Sequence, residues 1–181
     1  AKDSIREMVV VDGRVSSRAV EAHQSASHGL AWLATYVEAL RQMQKWAEGL
    51  KETGKFGEVE QLIHQIAFGE YLHQIAGGIP MNQGEVVRLQ EMGLGWDALS
   101  GFQCSEVQTL MARGNTQSAR TRLVELMQER SAETTVGATG LDEELEMIRE
   151  QFRRFALDKV EPYAHEWHLK DELIPMEIIE E

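Results

Sequence analysis

The sequence predicts an all-α protein, a helical bundle followed by a second helical segment, and three observations lead there. Apolar residues recur at three- and four-residue steps along most of the 181 residues. Glycines, prolines and polar capping residues stand where these stripes break off. Sustained apolar alternation and turn pairs between apolar runs are not found, so no strand or hairpin is expected.

The first stripe runs from about Ser17 to Thr53, with Leu30, Leu33, Val37, Leu40, Ala47 and Leu50 on one face, and Gly54 sits where a C-terminal cap belongs. One long helix is expected, with a bend at Gly29. A second helix is expected over Glu58–Ala76, where Val59, Leu62, Ile63, Ile66, Leu72 and Ile75 supply the buried face and Gly77, Gly78 and Pro80 end it. Asn82 reads as an N-cap with Glu85 reaching back from the third position, which opens a short third helix to about Met92.

Ser105 with Gln108 caps a fourth helix through Met111, and Asn115 opens a fifth that carries Leu123, Leu126 and Met127 to about Arg130. Gly93–Phe102 stays ambiguous, because Trp96, Leu99 and Phe102 step as a helix does while Gly95 and Gly101 oppose it. Residues 131–140, SAETTVGATG, are small and polar without periodicity and read as a linker. Beyond it Leu145, Ile148, Phe152, Phe155 and Val160 share a face, so a further amphipathic helix runs from Leu141 toward Pro162. The expected organisation is therefore a bundle over 1–130, a linker over 131–140 and a second segment over 141–181, with no internal repeat.

Charge excludes several functions. The chain carries −12, and Leu141–Glu181 alone holds thirteen acidic and five basic residues, a net of −8. No basic stripe exists, so nucleic acid and anionic membrane are not expected partners. Cys104 is the only cysteine, which rules out an internal disulfide and a cysteine-rich zinc site. Ala1–Asp12 lacks an apolar run of signal-peptide length, so the expected location is the cytoplasm. The start at Ala1 and the stop at Glu181, inside an amphipathic pattern, lead us to expect that the natural protein continues.

The last residues, EQFRRFALDKVEPYAHEWHLKDELIPMEIIEE from Glu150, carry a family likeness. Phe155 with Ala156, Pro162 with Ala164, the turn Lys170–Leu173, and Pro175 at a helix start follow one another at set intervals. This arrangement resembles the opening of the acyl-CoA dehydrogenase family, whose first helical domain begins this way. On that likeness 1–130 is a helical N-terminal extension, which most members lack, and 141–181 is the start of the dehydrogenase N-terminal helical domain. The resemblance implies an oxidoreductase with FAD as cofactor, an acyl-CoA substrate, a glutamate that abstracts the α proton and hydride transfer from the β carbon to the flavin. It further implies electron-transfer flavoprotein as oxidant, the rest of the dehydrogenase chain as packing partner, and a homo-oligomer. No catalytic, cofactor-binding or metal-binding residue is assigned within this stretch. Gln74–Ile79, with Gly77 and Gly78, is also similar to the Gln-x-x-Gly-Gly turn of the family's C-terminal bundle.

Other constellations receive plainer readings. Glu70 and His73 have the spacing of a di-iron pair, with His64 nearby, but such a site needs two pairs and two further glutamates, so a hydrogen-bonded histidine is preferred. His165, His168 and Glu161 form a zinc-like inventory that Pro162 disturbs, and a charged face is preferred. The eight methionines are scattered as core filler. Trp32 and Trp46 share one side of a helix and read as core anchors before docking anchors. No serine or cysteine has a nucleophile's setting. The rival reading is a free-standing helical protein-interaction module.

Overall fold

In the computed structural model, residues 1–102, 104–130 and 135–181 are described. The chain forms two compact units, Ala1–Ala138 and Thr139–Glu181. Part of the expected linker, residues 131–134, lies outside the described residues. Thr135 to Ala138 belong to the first unit.

The first unit is built on two helices whose stripes were legible. Helix α1 spans Lys2–Val9, strands β1 and β2 are Val10–Val11 and Arg14–Val15, and α2 and α3 span Ser17–Ala22 and Gln24–Glu52. Helix α4 is Glu58–Gly77. Leu40, Ala47 and Leu50 of α3 are buried together with Ala26 and Tyr36, whereas Val37 is 42% exposed. From α4, Val59, Leu62, Leu72 and Ile75 are buried, and Ile63 and Ile66 are partly covered.

The single long helix from Ser17 is corrected to two. No proline or glycine marks the break; it falls at His23, with φ −122° and ψ 37°, and α1 packs against both resulting pieces. Helix α2 is capped by Ser16, whose Oγ accepts the Ala19 N–H at 3.3 Å. Gly29 makes no bend: α3 runs through it, and a Cβ there would lie 2.7 Å from Val87 Cγ2. The glycine is needed for close approach, not for curvature.

The expected absence of strands is also corrected. Val10↔Val15 and Val11↔Arg14 pair around Asp12 (φ 51°) and Gly13 (φ 76°), the Asp-Gly pair that a two-residue hairpin demands. That signal was present in the sequence. A second hairpin replaces the expected third helix: β3, Ile79–Asn82, pairs with β4, Glu85–Val87. Asn82 and Glu85 do interact, Nδ2 donating to Oε2 at 2.8 Å, while Asn82 Oδ1 accepts the Gly84 N–H at 2.9 Å. The pair closes a turn instead of opening a helix. Ile79, Met81 and Val87 point into the main core with Leu89 and Met92.

Three shorter helices finish this unit: α5 Trp96–Phe102, α6 Ser105–Arg113 and α7 Gln117–Glu129. Cys104, not Ser105, holds the N-cap position of α6, without a side-chain bond. Helix α7 begins at Thr116, whose Oγ1 accepts from Ala119 N at 3.1 Å, rather than at Asn115. A smaller core of Val59, Leu62, Ala119 and Leu126 joins α4 to α7. Arg122 on α7 grips Glu58 at the start of α4 through Nε and Nη2, at 2.8 and 3.0 Å.

Among the described residues of this unit Glu60 is the buried charged one, 4% exposed. It stands in the first turn of α4 and takes the Gly57 N–H on Oε2 at 2.9 Å, the acidic half of a capping box. Its Oε1 takes the Ala138 N–H at 2.7 Å. Burial pushes its pKa up, but the bonds from Ala138, its own N–H and Gly57, with the Arg130 charge, outweigh that and leave it lowered. A carboxyl depressed in the folded state contributes stability that is present above its unfolded pKa and fades as pH falls through the lower folded value. Denaturant midpoints taken from about pH 7 down to about pH 3 should therefore fall on the acid side, and Glu60→Gln should flatten that fall. An unchanged acid limb in the variant contradicts this account.

The second unit comprises α8 Glu143–Phe155, a π-helical segment Ala156–Val160, α9 Glu161–Leu169 and α10 Met176–Glu180. Asp142 caps α8 through Oδ1 to Leu145 N at 2.9 Å. The helix does not end at Pro162. Instead the π segment widens the preceding turn, and Glu161 N–H donates to Ala156 O, a five-residue step that makes room for the ring and absorbs the missing donor. Pro175 is the N-cap of α10, one residue outside the expected first helical position.

Candidate functional site

On the first unit a groove of about 490 Å³ lies along α4, floored by Ile63, Ile66, Ala67 and Pro80. One of its walls is a chain of polar side chains that three segments bring together. Tyr36 OH donates to Gln74 Oε1 at 2.6 Å, and Gln74 Nε2 donates to Glu70 Oε1 at 2.6 Å. Asn115 Nδ2 donates to Glu70 Oε2 at 2.7 Å, and Arg120 Nη1 donates to Asn115 Oδ1 at 2.5 Å. Only the Glu70–Gln74 step, four apart on one helix, was visible in the sequence. Tyr36 and the local pair Asn115–Arg120 reach α4 from 38 and 45 residues away and carried no signal of that meeting.

This network is braced, not reactive. The Gln74 amide and then the Asn115 amide hold the Glu70 carboxyl below its ordinary range, so at neutral pH it only accepts. Burial, with Tyr71 and Glu70 beside it, pushes the Tyr36 phenol up and keeps its proton on. Tyr71 packs edge-on against Tyr36, with centroids 4.5 Å apart. Tyr36, Gln74, Glu70, Asn115 and Arg120 are bonded to one another in sequence, and no step of this path places a base beside a nucleophile.

The candidate metal residues are dispersed into ordinary bonds. His73 Nδ1 donates to Gly69 O at 2.8 Å, and Glu70 faces the amides just described. His64 lies flat on Phe68 at 4.4 Å and reaches Gln44 Oε1 at 2.9 Å through Nε2. Burial, then the Lys51 charge, lowers its pKa, so the ring is neutral with its proton on Nε2. His165, His168 and Glu161 are exposed on α9. Among the described residues no group of three or more His, Cys, Asp or Glu is placed to hold a metal ion. Trp32 packs on the main core and donates to His28 Nε2 at 3.0 Å, while Trp46 Nε1 donates to Ala138 O at 2.9 Å.

The second unit offers a different surface. None of its residues is buried. Phe152 is 71% exposed, Leu173 90% and Ile179 63%. Phe152, Phe155, Ile178 and Ile179 line a groove of about 350 Å³ between α8 and α10. An amphipathic helix gains most of its stability by burying its apolar face, and these helices bury little of theirs. The apolar stripes of α8 and α10 therefore lie largely open in this unit. Among the described residues no helix is long and apolar enough to cross a membrane.

No protein-family model matches the chain. The (2S)-methylsuccinyl-CoA dehydrogenase of Cereibacter sphaeroides is 57% identical to it over 180 residues, 99% of this chain. The chain spans 32% of that relative's length. The family likeness read from the tail is thereby borne out and extends over the bundle as well. Along almost its whole length, this chain is similar to about one third of a (2S)-methylsuccinyl-CoA dehydrogenase.

Proposed function

We propose that this chain is the N-terminal part of an FAD-dependent acyl-CoA dehydrogenase that oxidises (2S)-methylsuccinyl-CoA to mesaconyl-CoA in the ethylmalonyl-CoA pathway. In this reading 1–130 is the helical extension, 131–140 the connection, and 141–181 the first helices of the dehydrogenase N-terminal helical domain. The stretch is structural or docking in role. The whole enzyme works in the cytoplasm as a homo-oligomer and passes electrons to electron-transfer flavoprotein.

The observation that carries the reading is the bare face of α8 and α10 in a chain that matches only a third of its relative. The rest of the polypeptide supplies the cover for that face. The described residues do not fit the flavin. A dinucleotide's pyrophosphate needs several converging donors, whereas the groove on α4 presents an apolar floor and one guanidinium, Arg120, already bonded to Asn115 and Gln117. The flavin site and the proton-abstracting glutamate therefore belong to the other two thirds, and no step of the reaction is assigned to residues here. A free-standing interaction module has no observation of its own in its favour.

The test is purification of the uncut protein. It should be yellow and should oxidise (2S)-methylsuccinyl-CoA with electron-transfer flavoprotein as acceptor. Phe152→Glu in that protein should place a charge in a buried packing face, cost about 3 kcal/mol or more and sharply reduce the flavin-loaded yield. A colourless wild type, or a variant indistinguishable from it, defeats the proposal.

A further inference from the structure

Ala138, the last residue of the first unit, is held from both sides: its N–H donates to Glu60 Oε1 at 2.7 Å and its carbonyl accepts from Trp46 Nε1 at 2.9 Å. Thr139, the next residue, is tied into the second unit, where its Oγ1 donates to Glu146 and accepts the Leu141 N–H at 3.3 Å.

The seat on the first unit is shaped for this segment. Gly137 has φ +82°, where a side chain is strained, and a Cβ there would meet Glu60 Oε1 at 3.1 Å, Val59 Cγ1 at 3.3 Å and Ile63 Cδ1 at 3.4 Å. The two grips differ in kind. Glu60 comes from α4, is buried and is itself fixed by the Gly57 N–H; Trp46 comes from α3 and packs edge-on against Phe56, with centroids 6.4 Å apart. A hydrogen bond to a buried carboxylate is strong because leaving that charge without donors is costly. Gly137 and Ala138 have almost no apolar side chain to bury, so hydrogen bonds do most of the work of keeping them on α3 and α4.

We propose that Glu60 and Trp46 form a two-point clamp that holds Gly137–Ala138 on the first unit, and that its opening is a local event separate from unfolding. With it open, Gly137 and Ala138 leave their seat against Val59, Ile63 and Trp46. The inference stands on this chain's own residues and does not depend on the dehydrogenase reading.

Amide hydrogen exchange followed by mass spectrometry on the intact protein tests it. Glu60→Ala and Trp46→Phe should each speed exchange in peptides covering 135–141 by about tenfold, while peptides from the middle of α3 and from α8 change by less than about twofold. The double variant should show little more than either single one, because the two grips hold the same residue. Unchanged exchange at 135–141, or an equal rise throughout the first unit, overturns the clamp. Should Glu60→Ala fail to fold, Trp46→Phe, which keeps an aromatic ring against Phe56, decides alone.

Discussion

Gly69→Val and Gly114→Val should each destabilise the first unit by about 3 kcal/mol or more, the largest effects expected from single substitutions in this chain. A Cβ on Gly69 would stand 2.6 Å from Asn115 N, and one on Gly114 would stand 2.4 Å from Gln65 O. Both obstacles are backbone, which cannot turn away as a side chain can. The two glycines meet where α4 passes the end of α6, and Gly69 Cα lies 3.0 Å from the position a Cβ of Gly114 would take. Room made for a valine has to come from separating two helices, which also pulls Asn115 from Glu70. Gly49→Ala is the control: α3 is open there, with nothing within 4 Å, and removing a mid-helix glycine should stabilise by about 0.5–1 kcal/mol. Denaturant unfolding of all three variants measures this. Tolerance of valine at both crossing positions would mean that the helices do not approach so closely.

Ile79→Ala should cost about 3 kcal/mol, within the range for deleting a fully buried branched side chain. Ile79 has no exposed surface, and its neighbours across the hairpin and in the core, Val87 and Met92, have none either. The surroundings cannot collapse far, because β3 is paired to β4 and both rest on α3. Val86, on the opposite face of β4 and 43% exposed, should tolerate alanine with little change. Equal and small losses at 79 and 86 would show that the hairpin lies outside the core.

The helices that were legible are those whose apolar stripes are long enough to be averaged. In α3 and α4, Leu40, Leu50, Leu62 and Ile75 recur over many turns, so a single misplaced residue such as Val37 does not hide the pattern. The hairpins are too short for averaging. Asp12-Gly13 carried a usable turn signal, whereas Asn82 with Glu85 satisfied a helix cap and a turn equally well by local chemistry. What separated those two readings was the burial of Ile79, Met81 and Val87 against helices far away in the chain.

The same division holds for the functional surfaces. The apolar stripe of the second unit could be read from the spacing of Leu145, Ile148 and Phe152, because a stripe is set by neighbours along one helix; that it lies bare is seen only in the fold. Glu60 reads in sequence as a first-turn acid and nothing more; its hold on Ala138, 78 residues away, exists only once α4 and the returning chain meet. Tyr36, Asn115 and Arg120 likewise become a network only through the packing of α3, α4 and α7.

The amino-acid order alone determined the helical class, the main buried faces and the family likeness, because periodicity and motif spacing are properties of neighbours along the chain. Tertiary structure decided the second hairpin, the glycine crossing and the Glu60 clamp. In each of these a polar group or a missing side chain gains its meaning from an atom brought close by folding.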